Sequence, residues 1–434
     1  MVTESTKICL GSADGHVGAP TAVYKDYLEK ALHPEFDEYF RHHVWRWAAQ
    51  SKDSFLPREW SAKMWSTEGW DPAVGSPVVW DSQMRLKVQD EAMVSYEILF
   101  PDDQNLNDPP WGSGLAAGAV SGLHGAADYA PGLVRAGARS YNRWLADFCS
   151  ADSNRLRGLT LVGTMEDPVW CVEEIQRAYA SGLQTGVLLP LDYDLPYLHH
   201  ERYDMVWSTC QELGLPAVIH LAKGHPRWLG DDPWVQRFVF LHEASFYAQR
   251  PVWCMIMGGV MERYPGLNLV ATELGMSWAP PLIAALDGYL GLWPEMPASR
   301  DVPGRVTKLT MTPSEYWQRQ VFVAHTTLQT RDQFESPTYE SVPNMVYGID
   351  IGHSEGWWPV YGWPDPVPIG LGMDPISPRS IDQGTKEVWG GLSAEKILPY
   401  LEYNCLRAYP NIDRAALQPI ADRVGPTVGE LQLV

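Results

Sequence analysis

Asp14-Gly15-His16 stands directly after the apolar run Ile8-Cys9-Leu10-Gly11. A carboxylate and an imidazole two residues apart at a strand's end point the same way, because side chains alternate along extended chain with period two. Converging ligand types at the carboxyl end of a strand are how a barrel enzyme begins a metal site. Three later strand ends carry groups of the same kind: His220 in Pro216-Ala217-Val218-Ile219-His220, Glu273 in Thr272-Glu273-Leu274-Gly275, and Asp350 in Val346-Tyr347-Gly348-Ile349-Asp350. The two imidazoles and two carboxylates of Asp14, His16, His220 and Asp350 suit one divalent metal ion, Zn2+ or alternatively Mn2+ or Fe2+, with room left for water or substrate. Taken singly, each of these residues could equally be an ordinary polar loop residue. The set gains meaning from the rhythm of elements that would bring it together.

That rhythm is a series of short apolar runs at 8–11, 94–100, 159–163, 186–190, 217–221, 267–272, 321–324 and 345–348, with helical patterns between them, for example at 172–180 and 205–213. Strands and helices in alternation predict a parallel sheet. Eight such runs predict an α/β fold of the (β/α)8 TIM-barrel class, whose active site lies at the C-terminal strand ends. A Trp-rich insertion, about 20–91, follows the first strand, and a long loop, about 355–385, follows the eighth. The Gly/Ala-rich stretch 112–127 reads as a flexible loop. The whole chain, 1–434, reads as one barrel domain with these insertions.

Composition narrows the partners. The formal charge is −20, which disfavours nucleic acid and acidic membrane surfaces. The six cysteines are scattered with no Cys-x-x-Cys, so buried free thiols in a reducing compartment are expected. Residues 1–7 are short and polar with no apolar signal core, and no run approaches the ~18 apolar residues of a membrane span. These features predict a soluble cytoplasmic protein acting on a small molecule. Of twenty tryptophans, nine lie in the stretches 45–80 and 357–363. Trp357 and Trp358, just past Asp350, are candidates for a lid over a flat, apolar substrate.

Several segments resemble the amidohydrolase-related (amidohydrolase 2) family that includes aminocarboxymuconate semialdehyde decarboxylase. Gly258-Gly259-Val260-Met261-Glu262-Arg263-Tyr264-Pro265 is similar to the family's Gly-Gly-Val-x-Glu-Arg-Phe-Pro segment, and Asn404-Cys405-Leu406-Arg407-Ala408-Tyr409 to its final Asn-Ala-x-Arg-x-Tyr helix. Pro101 after Ile98-Leu99-Phe100, and Tyr141-Asn142-Arg143-Trp144-Leu145, fit the same pattern. The resemblance implies a mononuclear divalent metal held by Asp14, His16, His220 and Asp350, and a homo-oligomer, commonly a dimer. Asp14 departs from the family's usual His-x-His and makes a harder site, shifting preference towards Mn2+. Glu273 stands where the family often has a His, and serves either as acid/base or to orient a ligand.

The leading expectation is a metal-dependent hydrolase that cleaves an amide, lactone or related bond of a small aromatic or cyclic substrate through a metal-activated water. Asp350 takes the water's proton, and Glu273 or His353 supplies one to the leaving group. His225 and His325 are further candidates for lining the substrate pocket, and His242, His42 and His43 are weaker ones. The alternative is non-oxidative decarboxylation of an aromatic or enoic acid, with Arg46, Arg58, Arg85 or Arg227 clamping the carboxylate. The second alternative is a catalytically inactive barrel acting as a binding protein.

Overall fold

Runs of Val, Ile, Leu and Ala without polar interruption form strands buried on both faces, the situation of a parallel sheet covered by helices. In the computed structural model they give ten short segments. These are β1 Gly11–Ser12, β2 His16–Val17, β3 Tyr96–Pro101, β4 Leu156–Gly158, β5 Thr160–Leu161, β6 Val187–Leu188, β7 Ala217–His220, β8 Leu269–Thr272, β9 Val321–His325 and β10 Met345–Tyr347. The structure describes residues 2–50, 76–102, 107–115, 128–191, 195–221, 243, 245–292, 308–326, 331–340, 342, 344–353 and 381–434.

Every pairing between these strands is parallel. One ladder runs β10-β9-β8-β7-β6-β5. Only Leu159 separates β5 from β4, which pairs with β3, and β3 in turn pairs with both β1 and β2. β1 with β2, and β4 with β5, are therefore two interrupted staves, making eight among the described residues. Backbone bonds close the circle between the first stave and the last: Ala13 N–H to Tyr347 O (2.8 Å), His16 N–H to Ile351 O (2.8 Å) and Asp350 N–H to Asp14 O (3.1 Å), with a parallel bridge between Gly15 and Ile351. This is the (β/α)8 barrel that the alternation predicts.

Strand edges differ from the apolar runs. The first run ends at Gly11, whereas pairing begins there and resumes at His16, so the Asp14–His16 pair lies inside an interrupted stave. The third stave starts at Leu156, earlier than its apolar run, because Arg157 breaks the hydrophobic pattern without breaking the ladder.

Side-chain parity sorts the core. Val218, Val270, Phe322, Ala324 and Val346 belong to one buried cluster, and Ala217, Ile219, Leu269, Ala271, Val321, Val323, Met345 and Tyr347 to another. The first set shares one face of the staves, the second the face under the helices. Covering helices include Pro131–Cys149, Pro168–Ala180, Asp204–Glu212, Arg250–Met257 and Pro313–Gln320. Their starts follow local chemistry: Asp167 accepts from Trp170 N–H, and Thr312 with Glu315 forms a reciprocal capping box.

Within the stretch read as an insertion lie a 3-10 turn, Thr21–Tyr27, the helix His33–Gln50 and the helix Ser82–Glu91. The last is capped by Asp81 and leads directly into β3. All six cysteines are free, and all but the half-buried Cys254 are buried. No helix among the described residues is long and apolar enough to cross a membrane.

Candidate metal centre

Asp14, His16, His220 and Asp350 come together at one end of the barrel, all buried. His16 Nε2 lies 3.4 Å from Asp14 Oδ1 and 3.2 Å from Asp350 Oδ1. His220 Nε2 lies 3.5 Å from the same Asp14 oxygen and 3.4 Å from Glu273 Oε2. His353 Nδ1 is 3.6 Å from Asp350 Oδ1, and its ring stacks on His16 with centroids 3.4 Å apart and planes inclined by 12°. Staves one, five and eight thus supply the four expected ligands, the end of stave six adds Glu273, and the turn after stave eight adds His353.

Parity explains part of this convergence. His220 shares the face of Val218, two residues before it on β7. Glu273 does not follow the alternation: its φ of 62° is left-handed, as is the 57° of Asp350. Such a backbone is uncommon for non-glycine residues and turns the chain sharply at both strand ends.

The two histidines are oriented from behind. His16 Nδ1 is 3.0 Å from the carbonyl of Pro101, and His220 Nδ1 is 3.1 Å from that of Leu221. A carbonyl only accepts, so both Nδ1 atoms carry the proton and both Nε2 atoms face the carboxylates, the arrangement of metal-binding imidazoles. Burial opposes charge on His16, yet Asp14 and Asp350 outweigh it and raise its pKa well above the ordinary imidazole value. Burial likewise works against the Asp14 carboxylate, but His16 and His220 hold it below the usual range. Without an ion, a proton is favoured where a cation would sit between the carboxylates.

Six atoms of this cluster, Asp14 Oδ1 and Oδ2, His16 Nε2, His220 Nε2 and Asp350 Oδ1 and Oδ2, are buried with no hydrogen-bond partner among the described residues. Buried polar atoms are almost always satisfied, so a convergent set of six calls for a ligand. The ligating atoms form two overlapping groups that share His16, Asp14–His16–His220 and His16–Asp350–His353, each with its atoms within 4.8 Å of one another, and imidazole nitrogens with carboxylate oxygens at that spacing fit a divalent cation.

The other expected residues fall differently. His325 ends β9 on the face of Val321 and Val323, and its Nε2 pairs with Gln333 Oε1 at 3.0 Å; it is not gathered into the cluster. Arg85 is corrected as a carboxylate clamp. It is fully buried and all five of its N–H groups are engaged within the protein, leaving none for a substrate. His42 is exposed. His225, His242, Trp357, Trp358, Arg58 and Arg227 lie outside the described residues, as do the side chains of Arg46 and His43.

One residue escaped the sequence reading. Asp102, directly after β3, is fully buried and places Oδ1 3.9 Å from His353 Nε2. The signal was present, since a carboxylate follows the second apolar run as one follows the eighth. The intervening Pro101 hides where that strand ends.

A family model described as amidohydrolase matches residues 40–366. Among curated proteins, none matches the chain. Solved structures do. An amidohydrolase from Mycobacterium avium subsp. paratuberculosis is 17% identical, with 93% of this chain and 100% of that chain covered and a TM-score of 0.58. The 5-carboxyvanillate decarboxylase of Sphingomonas paucimobilis is 15% identical, with 93% and 99% covered and a TM-score of 0.56. The 5-carboxyvanillate decarboxylase of Novosphingobium aromaticivorans, solved with manganese and 4-hydroxy-3-methoxy-5-nitrobenzoic acid, is 16% identical, with 94% and 100% covered and a TM-score of 0.57.

Proposed function

From the premise that this chain belongs to the amidohydrolase family, we propose that it is a divalent-metal-dependent carboxy-lyase that removes CO2 from a small aromatic acid without oxidation. The observation that carries the reading is the set of six buried donor atoms on Asp14, His16, His220 and Asp350 that make no hydrogen bond, the histidine nitrogens lying 3.2–3.5 Å from the carboxylates. The decarboxylase of Novosphingobium aromaticivorans, bound to manganese and a hydroxybenzoic acid, supports it over the hydrolase first expected. Two carboxylates in a four-residue donor set make the site harder than a three-histidine zinc site, which favours Mn2+.

A cation held there supplies Lewis-acid polarisation of a substrate carboxylate and of an oxygen beside it. The protein's own groups then handle the proton. Asp350 delivers a proton to the ring carbon that bears the carboxylate. The bond from that carbon to the carboxylate breaks, its electron pair returns to the ring, and CO2 leaves. His353, 3.6 Å from Asp350, passes the replacement proton from solvent, so one proton is taken up for each carboxylate lost. Glu273 Oε2, 3.4 Å from His220 Nε2, lies on the cation side of that imidazole and is assigned as a further carboxylate at the mouth of the site. Trp357 and Trp358 are assigned to cover the ring, and the active form is assigned as a homodimer.

The second reading is hydrolysis of an amide, lactone or related bond, in which Asp350 takes a proton from the attacking water. It is favoured by the carboxylate of Glu273, available as an acid at the same mouth. Purified protein loaded with Mn2+ and given hydroxybenzoic acids with the hydroxyl ortho to the carboxylate is expected to release CO2, read by headspace mass spectrometry. Opening of aryl lactones to hydroxy acids or release of amine from aryl amides, with no CO2 from any acid, would overturn the carboxy-lyase in favour of the hydrolase.

A further inference from the structure

Arg85 and Glu97 form a fully buried ion pair behind the ligand-bearing staves. Arg85 sits on the helix Ser82–Glu91 and Glu97 on β3. The guanidinium is bidentate: Nε reaches Glu97 Oε2 and Nη2 reaches Glu97 Oε1, both at 2.9 Å. Its remaining N–H groups bond three carbonyls, those of His16 (3.0 Å), Val78 (3.3 Å) and Ile351 (2.9 Å). Gln89 adds a bond of 2.9 Å to Glu97 Oε2.

Two of those carbonyls belong to the metal loops. One is that of His16 itself, and the other is that of Ile351, the residue after Asp350. The Ile351 carbonyl also accepts His16 N–H at 2.8 Å, so Arg85 clamps a junction where the backbones of two expected ligands already meet. Gly15, between Asp14 and His16, is shaped by the same pair. A Cβ there would lie 1.9 Å from Glu97 Oε1 and 2.5 Å from Arg85 Nη2. The glycine in Asp-Gly-His is therefore required by what packs behind it, and the pair dictates where the loop runs.

Stability alone does not account for such a pair. Desolvating two charges offsets most of their attraction, and apolar residues of similar volume often serve as well. What an apolar pair cannot do is hold three carbonyls in fixed directions. We infer that Arg85 and Glu97 are positioning residues that set the spacing of His16 and Asp350 for the cation; this rests on the metal reading above. The requirement is for a planar fork, so a lysine in its place is not equivalent.

Two variants test the inference: R85M/E97L, which removes both charges together, and R85K, which keeps a charge opposite Glu97 but loses the fork. Mn2+ affinity is measured by equilibrium dialysis, the bound-ion line shape by electron paramagnetic resonance, and the fold by circular-dichroism melting. Groups supporting metal ligands from behind typically change affinity by about 10–100-fold. Each folded variant is expected to bind Mn2+ at least about tenfold more weakly than wild type, with a broadened line shape, while melting cooperatively. Should R85M/E97L not fold, R85K decides alone. Binding within about twofold of wild type with an unchanged line shape, in whichever variants fold, overturns the inference. Failure of the wild type itself to bind Mn2+ overturns the metal reading instead, and the two failures are distinguishable.

Discussion

If the cluster at the barrel mouth is a cation site, the ion must stabilise the folded chain, because its ligands come from residues as far apart as 14 and 350 and are assembled only on folding. A ligand at 100 times its dissociation constant adds about 2.7 kcal/mol to folding stability. Unfolding entropy near the midpoint is about 2.1 cal/mol/K per residue, or about 0.9 kcal/mol/K over 434 residues. Protein stripped with EDTA and then given Mn2+ at 100 times the dissociation constant should therefore melt about 3 °C higher. His220→Ala or Asp350→Ala removes a ligand. If affinity falls about 100-fold, the gain at the same Mn2+ concentration drops to about 0.4 kcal/mol, a shift of about half a degree. Differential scanning calorimetry at matched ionic strength resolves this difference. A wild-type midpoint insensitive to Mn2+ into the millimolar range refutes the reasoning. So does a shift in both variants as large as in wild type, since the ion would then be binding elsewhere.

Two further outcomes are expected. Glu174 is buried between the helices Pro131–Cys149 and Pro168–Ala180, where Arg139 Nε and Asn142 Nδ2 each donate at 2.8 Å and Arg177 donates through two nitrogens. Burial alone would raise its pKa, but Arg177, Asn142 and Arg139 hold it below the usual value. A depressed carboxylate contributes stability above its unfolded pKa of about 4.3 and loses it as pH falls through the folded value. Glu174→Gln should therefore lower the melting midpoint at pH 7 by about 2 °C, on about 2 kcal/mol for bonds to a charged group, with the gap to wild type narrowing below about pH 4; a gap independent of pH refutes this. Burial also pushes the thiols of Cys149, Cys210 and Cys405 up to about 12 and that of the half-buried Cys254 to about 11. Native protein at pH 8 should react slowly with Ellman's reagent, at Cys254 first, and release the full six thiols only when unfolded; rapid titration of several native thiols would contradict this.

How much of this was legible depends on which interactions are local. The staves were visible because parallel strands are buried on both faces and advertise themselves as unbroken apolar runs, as in Ala217-Val218-Ile219 and Leu269-Val270-Ala271. Strand ends followed, and with them the four residues that gather in two overlapping groups around His16. Pairing was less legible than burial. Ile8 and Leu10 are fully buried, yet Ile8 N–H bonds to Pro426 O and Leu10 O accepts from Ser95, so the first ladder begins only at Gly11. Arg85 stands among four candidate carboxylate clamps in the sequence because its position on a helix says nothing about partners at 16, 78, 97 and 351. Those partners are set by tertiary packing, which leaves no periodic trace. Gly15 carried the one clue, since a glycine between two ligands signals close approach from behind.

The two left-handed carboxylates show how the fold turns stave ends into a site. Left-handed backbone costs a non-glycine residue roughly 1–2 kcal/mol. Regular alternation would leave Glu273 on the face of Ala271, which is the helix face. The turn at Glu273 breaks that parity and brings its carboxylate 3.4 Å from His220. At Asp350 the same conformation bends the chain so that Ile351 O meets both His16 N–H and Arg85. Such conformations persist only where the surroundings determine them several times over. Here they do, because Glu273 N–H bonds to Ala324 O, Asp350 N–H bonds to Asp14 O, and both carbonyl partners sit on neighbouring staves. Were these positions merely loop residues, glycine would serve at lower cost in both turns. Acids stand there instead, directed at two imidazoles whose outer nitrogens are fixed by carbonyls. The strain is therefore coupled to the donor set, and a bound cation is what would offset it.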